Sequence, residues 1–424
     1  MNVLLISANT EQGNMPAMPL GLACVAEATR EAGHTVSMID LMFQMDAQAV
    51  LGRAIAATSP DCIGISVRNI DDQNLENPNF LLGKVKEVVT ACREMSGAPI
   101  VLGGAGYSIF PETALTWLGA DMGIRGEGEV AFPALLACLG QGFDISAIPG
   151  LHLRGCGPGP TQTPAMNLDA LPLPDIGLLN ASATTTQDSW IPVQTRRGCP
   201  MKCSYCSTPA IEGARLRKRS PEQVADWLEG LARAGYENFF FVDNTFNLPP
   251  AYAKELCRRI VAKGLQISWQ SIIYPKNVDQ ELVELMAEAG CRQISLGFES
   301  GSDRILERLN KGFSTLDVQA ISTRFADQGI GRMGFLLLGS PGESRDSVEE
   351  SLNFVDSLDL SALRLTAGVR IYPDTKLAEI ARQKGVISPQ DDLLLPRFFL
   401  ARDLEGWLIE RLHGWRSSRP NVIM

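Results

Sequence analysis

No run of about 18 apolar residues occurs in the chain, so the sequence offers no transmembrane helix. The N-terminus, Met1-Asn2-Val3-Leu4-Leu5-Ile6-Ser7, lacks the basic start and the small-residue cleavage site of a secretory signal. It reads as a first buried strand, and a cytoplasmic setting is expected. Positive charge is scarce: 38 Lys and Arg stand against 48 Asp and Glu, a formal net charge of −10. That argues against nucleic acid as a partner. The one basic run, Arg215-Leu216-Arg217-Lys218-Arg219, reads as a solvated loop. Histidine is nearly absent, with His34, His152 and His413 the only three. No short-period repeat is present.

What remains is the balance of a globular chain, 45% hydrophobic and 20% charged over 424 residues, long enough for two or three domains. In a reducing compartment its ten cysteines are ligands or small buried hydrophobes rather than disulfides. Cys24, Cys62, Cys92, Cys138, Cys156, Cys257 and Cys291 are scattered, mostly in apolar patterns, and read as core. Cys199, Cys203 and Cys206 are packed into eight positions.

Residues 1–140 alternate short Val/Ile/Leu-rich strands with helical segments. Strands are expected at Val3–Ser7, Thr35–Asp40, Cys62–Val67, Pro99–Gly103 and Met122–Ile124. In the first helix Leu22, Val25, Ala26 and Thr29 share a face, and Gly33 ends it. The pattern predicts a doubly wound, Rossmann-like α/β domain. Its ligands belong beyond the carboxyl ends of the strands, which makes Ser7-Ala8-Asn9, Ser66-Val67-Arg68-Asn69 and Gly103-Gly104-Ala105-Gly106 the candidate rim. Residues 141–188, with Gly155-Cys156-Gly157-Pro158-Gly159-Pro160 and Leu171-Pro172-Leu173-Pro174, are expected to be a linker.

Alternation resumes over residues 189–375, with strands expected near Trp190–Thr195, Asn238–Val242, Gln266–Ser271, Gln293–Gly297, Arg332–Leu338 and Arg364–Arg370. Ser220-Pro221 and Gln223 mark a helix start, and Gly264, Gly290 and Gly329 mark helix ends. Six strand–helix units predict a partial (β/α)6 TIM-like barrel with its chemistry at the strands' carboxyl ends. Residues 376–424, with Phe398, Phe399, Trp407 and Trp415, are expected to form a helical cap.

Three thiolates at Cys199, Cys203 and Cys206 can hold three irons of a cubane cluster and leave the fourth open to a chelating substrate. Structural zinc wants four ligands, and no fourth Cys or His lies nearby. A redox Cys-x-x-Cys leaves Cys199 unexplained.

The segment Gly198-Cys199-Pro200-Met201-Lys202-Cys203-Ser204-Tyr205-Cys206, after the first strand of a β/α array, resembles the radical S-adenosylmethionine superfamily. Phe241 to Asn247, Ile294 to Gly301, Gly334-Phe335 through Gly339-Ser340-Pro341-Gly342-Glu343, and Tyr372 to Thr375 resemble its later strand motifs. The resemblance implies a 4Fe-4S cluster on the three cysteines and S-adenosylmethionine chelated to the open iron. One electron from the cluster then releases a 5′-deoxyadenosyl radical. Carried over by position, Tyr205 would present its backbone to the adenine, while Asp243, Asn244, Ser295 and Glu299 would face the ribose or the methionine moiety. An external electron donor of flavodoxin or ferredoxin type is implied as well.

A doubly wound domain ahead of such a barrel resembles the cobalamin-binding subgroup. Pro19-Leu20-Gly21-Leu22, Val101 to Gly106 and Arg125-Gly126-Glu127-Gly128-Glu129 carry that resemblance. It assigns Ser7, Asn9, Ser66, Val67, Arg68, Asn69, Gly103, Gly104, Gly126, Glu127, Gly128 and Glu129 to cobalamin, the glycines allowing close backbone approach. The mutase-type Asp-x-His-x-x-Gly is missing after the first strand, so no protein imidazole is expected on cobalt, and a residue from Val67 to Asn74 would cover the lower face. His34 reads as structural. The implied activity is methylation of an unactivated carbon on a small-molecule or lipid-like substrate. Radical cyclisation, ring formation or oxidation with the same cofactors is the alternative. A transfer-RNA methylthiotransferase is disfavoured by the acidic charge and the missing second triad, and a non-catalytic sensor by the intact one.

Overall fold

The computed structural model describes residues 1–10, 18–157, 159–175, 177–178 and 190–424. They fall into two compact units.

The first unit is a six-stranded sheet. Its strands are β1 (Asn2–Ser7), β2 (Thr35–Asp40), β3 (Cys62–Ser66), β4 (Ile100–Gly103), β5 (Met122–Ile124) and β6 (Leu151–Leu153), in spatial order β2-β1-β3-β4-β5-β6. All pairs are parallel except β5–β6. Val3 to Ile6 and Cys62 to Ile65 are wholly buried because helices cover both faces, hence their unbroken apolar runs. Each fully buried Leu or Ile contributes roughly 1.5–3 kcal/mol. The order reverses between β1 and β3, which places the switch point there. Register aligns Asp40, Ser7, Ser66 and Gly103 in one row at the carboxyl ends.

The expected linker is corrected in part. Residues 151–153 form β6, antiparallel to β5, and Gln162 exchanges hydrogen bonds with the backbone of Glu127. The described residues 141–178 therefore pack with the first unit, as does the short helix Thr208–Glu212. Of the scattered cysteines, Cys24, Cys62, Cys92, Cys257 and Cys291 are buried as expected, Cys138 is half-buried, and Cys156 is exposed in a turn.

The second unit is the partial barrel. Its strands are β7 (Ile191–Val193), β10 (Asn238–Phe241), β11 (Ser268–Ile273), β12 (Cys291–Glu299), β13 (Gly331–Leu338), β14 (Ala362–Ala367) and β17 (Val422–Ile423). They lie side by side in that order, all parallel. The short pairs β8 (Arg196–Arg197) with β9 (Arg217–Lys218), and β15 (Val369–Arg370) with β16 (Phe398–Phe399), are antiparallel. Two expectations change here. The C-terminal segment is not only helical, because β17 extends the sheet and β16 pairs with β15. The basic run is not solvated throughout, because Arg217 and Arg219 are buried.

Crossover helices start on side-chain caps: Ser220 on Gln223 N, Asp279 on Leu282 N, Ser314 and Ser344 in capping boxes. Beneath them, Phe241, Phe246 and Trp269 pack at ring separations of 5.0–5.1 Å. The alternate residues Val242, Gln270, Ile272, Gln293, Ser295, Phe335 and Thr366 are half-buried on the other face of the sheet.

Candidate active site

The cysteine loop leaves β7 and is fastened at its start and in its middle. At its start, Asp243, just past β10, accepts from Thr195 N at 2.8 Å, Thr195 Oγ1 at 2.6 Å and Arg196 N at 3.1 Å. Its second oxygen also meets Arg196 Nε at 3.2 Å, with both side chains at 1% exposure or less. Burial pushes the Asp243 carboxyl up, while Arg196 and the three donors pull it down. The Arg196 guanidinium lies over Tyr252 and donates to Leu248 O. In the middle, Ser204 N donates to Leu309 O at 3.0 Å and Asn310 Nδ2 to Lys202 O at 2.7 Å. Leu377 N donates to Ser204 O at 2.8 Å.

Inside this frame Cys199 is buried and Cys203 and Cys206 are half-buried. Burial raises the Cys203 thiol, Lys311 opposes that, and Cys206 and Glu299 add to it, so these groups share one electrostatic neighbourhood. Tyr274, at the end of β11, faces Cys203 and Cys199, and its hydroxyl is pushed up to about 12, mainly by burial. Asn247 clamps that corner: its Oδ1 accepts from Tyr274 N, and its Nδ2 donates to Tyr274 O and Lys276 O. Lys311 Nζ donates to Gly297 O and Glu299 Oε1, each at 3.3 Å, and lies 5.3 Å from the Tyr205 ring centre. Burial first, then Glu299 and the two neighbouring thiols, raise the Tyr205 hydroxyl well above its usual value. Glu299 sits at φ +67°, a left-handed conformation that a non-glycine residue adopts at a local cost.

The structure thus brings Cys199, Cys203, Cys206, Tyr205 and Glu299 together. Ser295 is half-buried on β12, level with Ile272 and Met333, and Asn244 is half-buried after β10. Asp243 departs from the role implied for it, since both its oxygens are engaged by Thr195 and Arg196. Lys311, Tyr274 and Asn247 were not singled out by sequence. Among the described residues no three His, Cys, Asp or Glu side chains group as a single-ion site. A cubane does not require that, because each thiolate takes its own iron. The three thiols, the facing cation Lys311 and the absence of a carboxylate within the loop fit such a cluster.

In the first unit, the carboxyl ends of β1 and β3 carry Ser7 and Asn9, both buried, and Ser66, Val67, Arg68 and Asn69. Asn69 Nδ2 reaches Asn9 Oδ1 at 3.5 Å, linking the two loops across the switch point. Arg68 is exposed, and a Cβ at Gly103 would meet nothing closer than 3.9 Å. The other glycines serve the chain itself. Gly104 has φ +99°, and a Cβ there would lie 2.7 Å from Val67 O. That carbonyl also accepts from Gly106 N and Tyr107 N. A Cβ at Gly126 would strike Gln162, and one at Gly128 would strike Val25. Glu127 accepts from Ala165 N, and Glu129 is buried. Gly104, Gly126, Glu127 and Gly128 thus take part in packing within the unit, beside the cobalamin contact expected of them. Among the described residues at the switch point there is no imidazole, which fits a corrinoid held without a histidine ligand.

Fold and site together define an enzyme that pairs a nucleotide-type α/β domain with a cysteine-loop β/α barrel. Residues 193–355 match the Radical SAM superfamily and residues 10–136 match the B12 binding domain. The chain belongs to the radical S-adenosylmethionine enzymes that carry a cobalamin-binding domain. It is 29% identical over 397 residues to an uncharacterized methyltransferase, PH0819, of Pyrococcus horikoshii, covering 90% of this chain and 83% of that one. It is 25% identical to the tryptophan 2-C-methyltransferase of Streptomyces laurentii, covering 88% and 73%. The fold is shared with the methyltransferase TsrM of Kitasatospora setae, solved with cobalamin and a [4Fe-4S] cluster, at TM-score 0.85 and 23% identity over 100% of this chain and 90% of that one.

Proposed function

We propose that this enzyme methylates a carbon of a small molecule, holding a [4Fe-4S] cluster on Cys199, Cys203 and Cys206 and cobalamin at the β1/β3 switch point. When bound, the cluster supplies the electron that cleaves S-adenosylmethionine, and cobalamin supplies the methyl group. The chain's own residues bind and orient. Asp243 and Arg196 fix the direction in which the loop leaves β7, and Leu309, Asn310 and Leu377 fix its middle. Glu299 and Lys311 offer one anion and one cation to the ammonium and carboxylate ends of an amino acid. Ser295, within β12, and Asn244, just past β10, are offered to the same ligand. Ser7, Asn9, Ser66, Val67, Arg68, Asn69 and Gly103 form the corrinoid rim, with Arg68, Gln73 and Asn74 the exposed residues of the Val67–Asn74 stretch. The half-buried face, apolar at Val242, Ile272 and Phe335 and polar at Gln270, Ser295 and Thr366, suits an organic substrate with a few polar groups.

The observation that carries this reading is the convergence of three thiols with Lys311 and Glu299 at the carboxyl ends of the barrel strands. All ten cysteines are free, and no described helix is long and apolar enough to cross a membrane. The free thiols accord with the reducing, cytoplasmic setting proposed for this enzyme. The test is anaerobic reconstitution followed by incubation of cell extract with S-adenosylmethionine and reductant. About four irons should bind the triad, S-adenosylhomocysteine should form beside 5′-deoxyadenosine, and one product should gain a methylene. Bound cobalamin should show no axial nitrogen. If Cys203→Ala kept both iron and cleavage, the ligand assignment would fall. If 5′-deoxyadenosine formed without S-adenosylhomocysteine, the chemistry would be ring formation or oxidation.

A further inference from the structure

The loops at the carboxyl ends of β3, β4 and β5 are joined in one chain of hydrogen bonds. Val67 O, on the first, accepts from Gly106 N at 2.9 Å and Tyr107 N at 3.3 Å on the second. Ser108, 1% exposed, ties the second to the third: its hydroxyl donates to Gly104 O and accepts from Gly126 N, both at 2.9 Å. The chain then runs on beyond the strand ends. Gln162 Oε1 accepts from Glu127 N at 2.8 Å, Gln162 Nε2 donates to Glu127 O at 2.5 Å, and Glu127 Oε2 accepts from Ala165 N at 3.2 Å. Arg125 N donates to Gly150 O and Gly150 N to Pro160 O. Residues 160–165 are thereby fastened along the loop that follows β5.

Neighbouring strands lie about 4.8 Å apart, so β1 and β3 alone offer a ledge about 5 Å wide, whereas β1 through β5 span about 14 Å. Cobalamin, a broad macrocycle fringed with amide arms and carrying a nucleotide tail, needs the wider one. Amides on that fringe gain most from backbone N–H and C=O groups that are already fixed in place before binding. The Gln162 amide is seated with no slack: a Cβ at Gly126 would come within 2.3 Å of its Oε1, and one at Gly150 within 3.2 Å of its Cβ. Residues 160–165 lie outside the stretch 10–136 that matches the B12 binding domain.

We propose that Ser108 and Gln162 are positioning residues of the cobalamin site, and that residues 160–165 complete it. The inference rests on the placement of cobalamin proposed above. Both side chains act through the backbone of Gly104, Gly126 and Glu127, holding it where the amide arms and tail of the cofactor are met. If either side chain is truncated, the loop after β5 must be ordered at the moment of binding, and affinity falls by that cost.

The test uses the full chain with its cluster reconstituted, and hydroxocobalamin titrated by its visible absorption. Gln162→Ala and Ser108→Ala should each bind roughly tenfold more weakly than wild type, through faster release, with iron per chain unchanged. Ser108→Thr keeps the hydroxyl and should recover most of the affinity. In wild type, hydrogen exchange at the amides of Gly126, Glu127 and Ala165 should slow when hydroxocobalamin is added. Residues that only pack the unit would exchange alike with and without it. The exchange measurement needs no substitution, so it decides the matter even if a variant fails to fold. Equal affinity in wild type and both alanine variants, loss of iron in parallel with cobalamin, or exchange that ignores hydroxocobalamin overturns the inference and leaves the proposed function standing. A wild type that takes up no hydroxocobalamin overturns both.

Discussion

Lys311 Nζ lies 3.3 Å from Glu299 Oε1, with the two side chains 7% and 15% exposed. The pair sits against Tyr205 and within the field of Cys203. At low effective dielectric, a nearby positive charge stabilises the more negative, reduced state of a thiolate-bound cluster. Lys311→Met should therefore lower the cluster's midpoint potential, Glu299→Gln should raise it, and Lys311→Arg should stay close to wild type. Redox titration followed by electron paramagnetic resonance checks all three. A potential that ignores both charges would mean that the pair acts on S-adenosylmethionine alone.

Asp243→Asn keeps one oxygen for the two backbone N–H groups but strands the buried Arg196 guanidinium and the Thr195 hydroxyl. Breaking a buried pair in this way costs about 3–5 kcal/mol. Iron retention should fall, and the barrel should unfold at lower denaturant. In the fraction that keeps its cluster, affinity for S-adenosylmethionine should match wild type. A selective loss of that affinity, with iron intact, would restore the cofactor contact that the strand motif implied.

Gly104→Ala should destabilise the first unit by about 2 kcal/mol, because a Cβ at φ +99° meets Val67 O. It should weaken cobalamin binding with it. Gly83→Ala, in the helix Leu82–Met95 with nothing within 4 Å, should be neutral or stabilising by up to about 1 kcal/mol. Thermal melts of the two variants separate loop packing from a general intolerance of added methyl groups.

Glu343 carries the clearest pH dependence. Its Oε2 accepts from Gly339 N at 2.5 Å and Ser340 N at 2.6 Å, yet its Oε1 is buried without a partner, and burial raises the carboxyl from 4.5 to about 7. The folded state therefore binds the proton more tightly than the unfolded one. Between about pH 4.5 and 7 stability falls as pH rises, and above pH 7 the full cost, about 3 kcal/mol, is present. Glu343→Gln should be more stable than wild type at pH 8 and nearly equal to it at pH 4.5. Paired denaturant unfolding at both values, read as the difference between the proteins, tests this.

Much of the architecture was legible because it rests on local patterns. The unbroken apolar runs at Val3–Ile6 and Cys62–Ile65 marked parallel strands, and Ser220 and Gly264 marked helix ends. The rim of the first sheet followed from strand order alone. What escaped depends on contacts far apart in the chain. Asp243 meets Thr195 across 48 positions, and Asn310 meets Lys202 across 108. Nothing in Asn310-Lys311-Gly312 as text distinguishes a helix end from a wall of the thiol site. Gly104 and Gly126 have positive φ and Gly128 fits tightly against Val25, but a sequence does not tell whether such glycines serve chain packing, a ligand or both. β17 is two residues long, too short for any periodicity.

Among the described residues β7 has β10 as its one strand partner, so the cysteine loop hangs from the rim of the sheet rather than from its interior. Opening β7 and its loop breaks a three-residue ladder, the Asp243 clasp and the bonds to Leu309, Asn310 and Leu377, while the pairing from β10 through β14 stays whole. Such an edge is a service hatch. A local opening confined to residues 191–207 would leave the rest of the barrel folded, so a cluster on the triad would be expected to exchange iron without global unfolding.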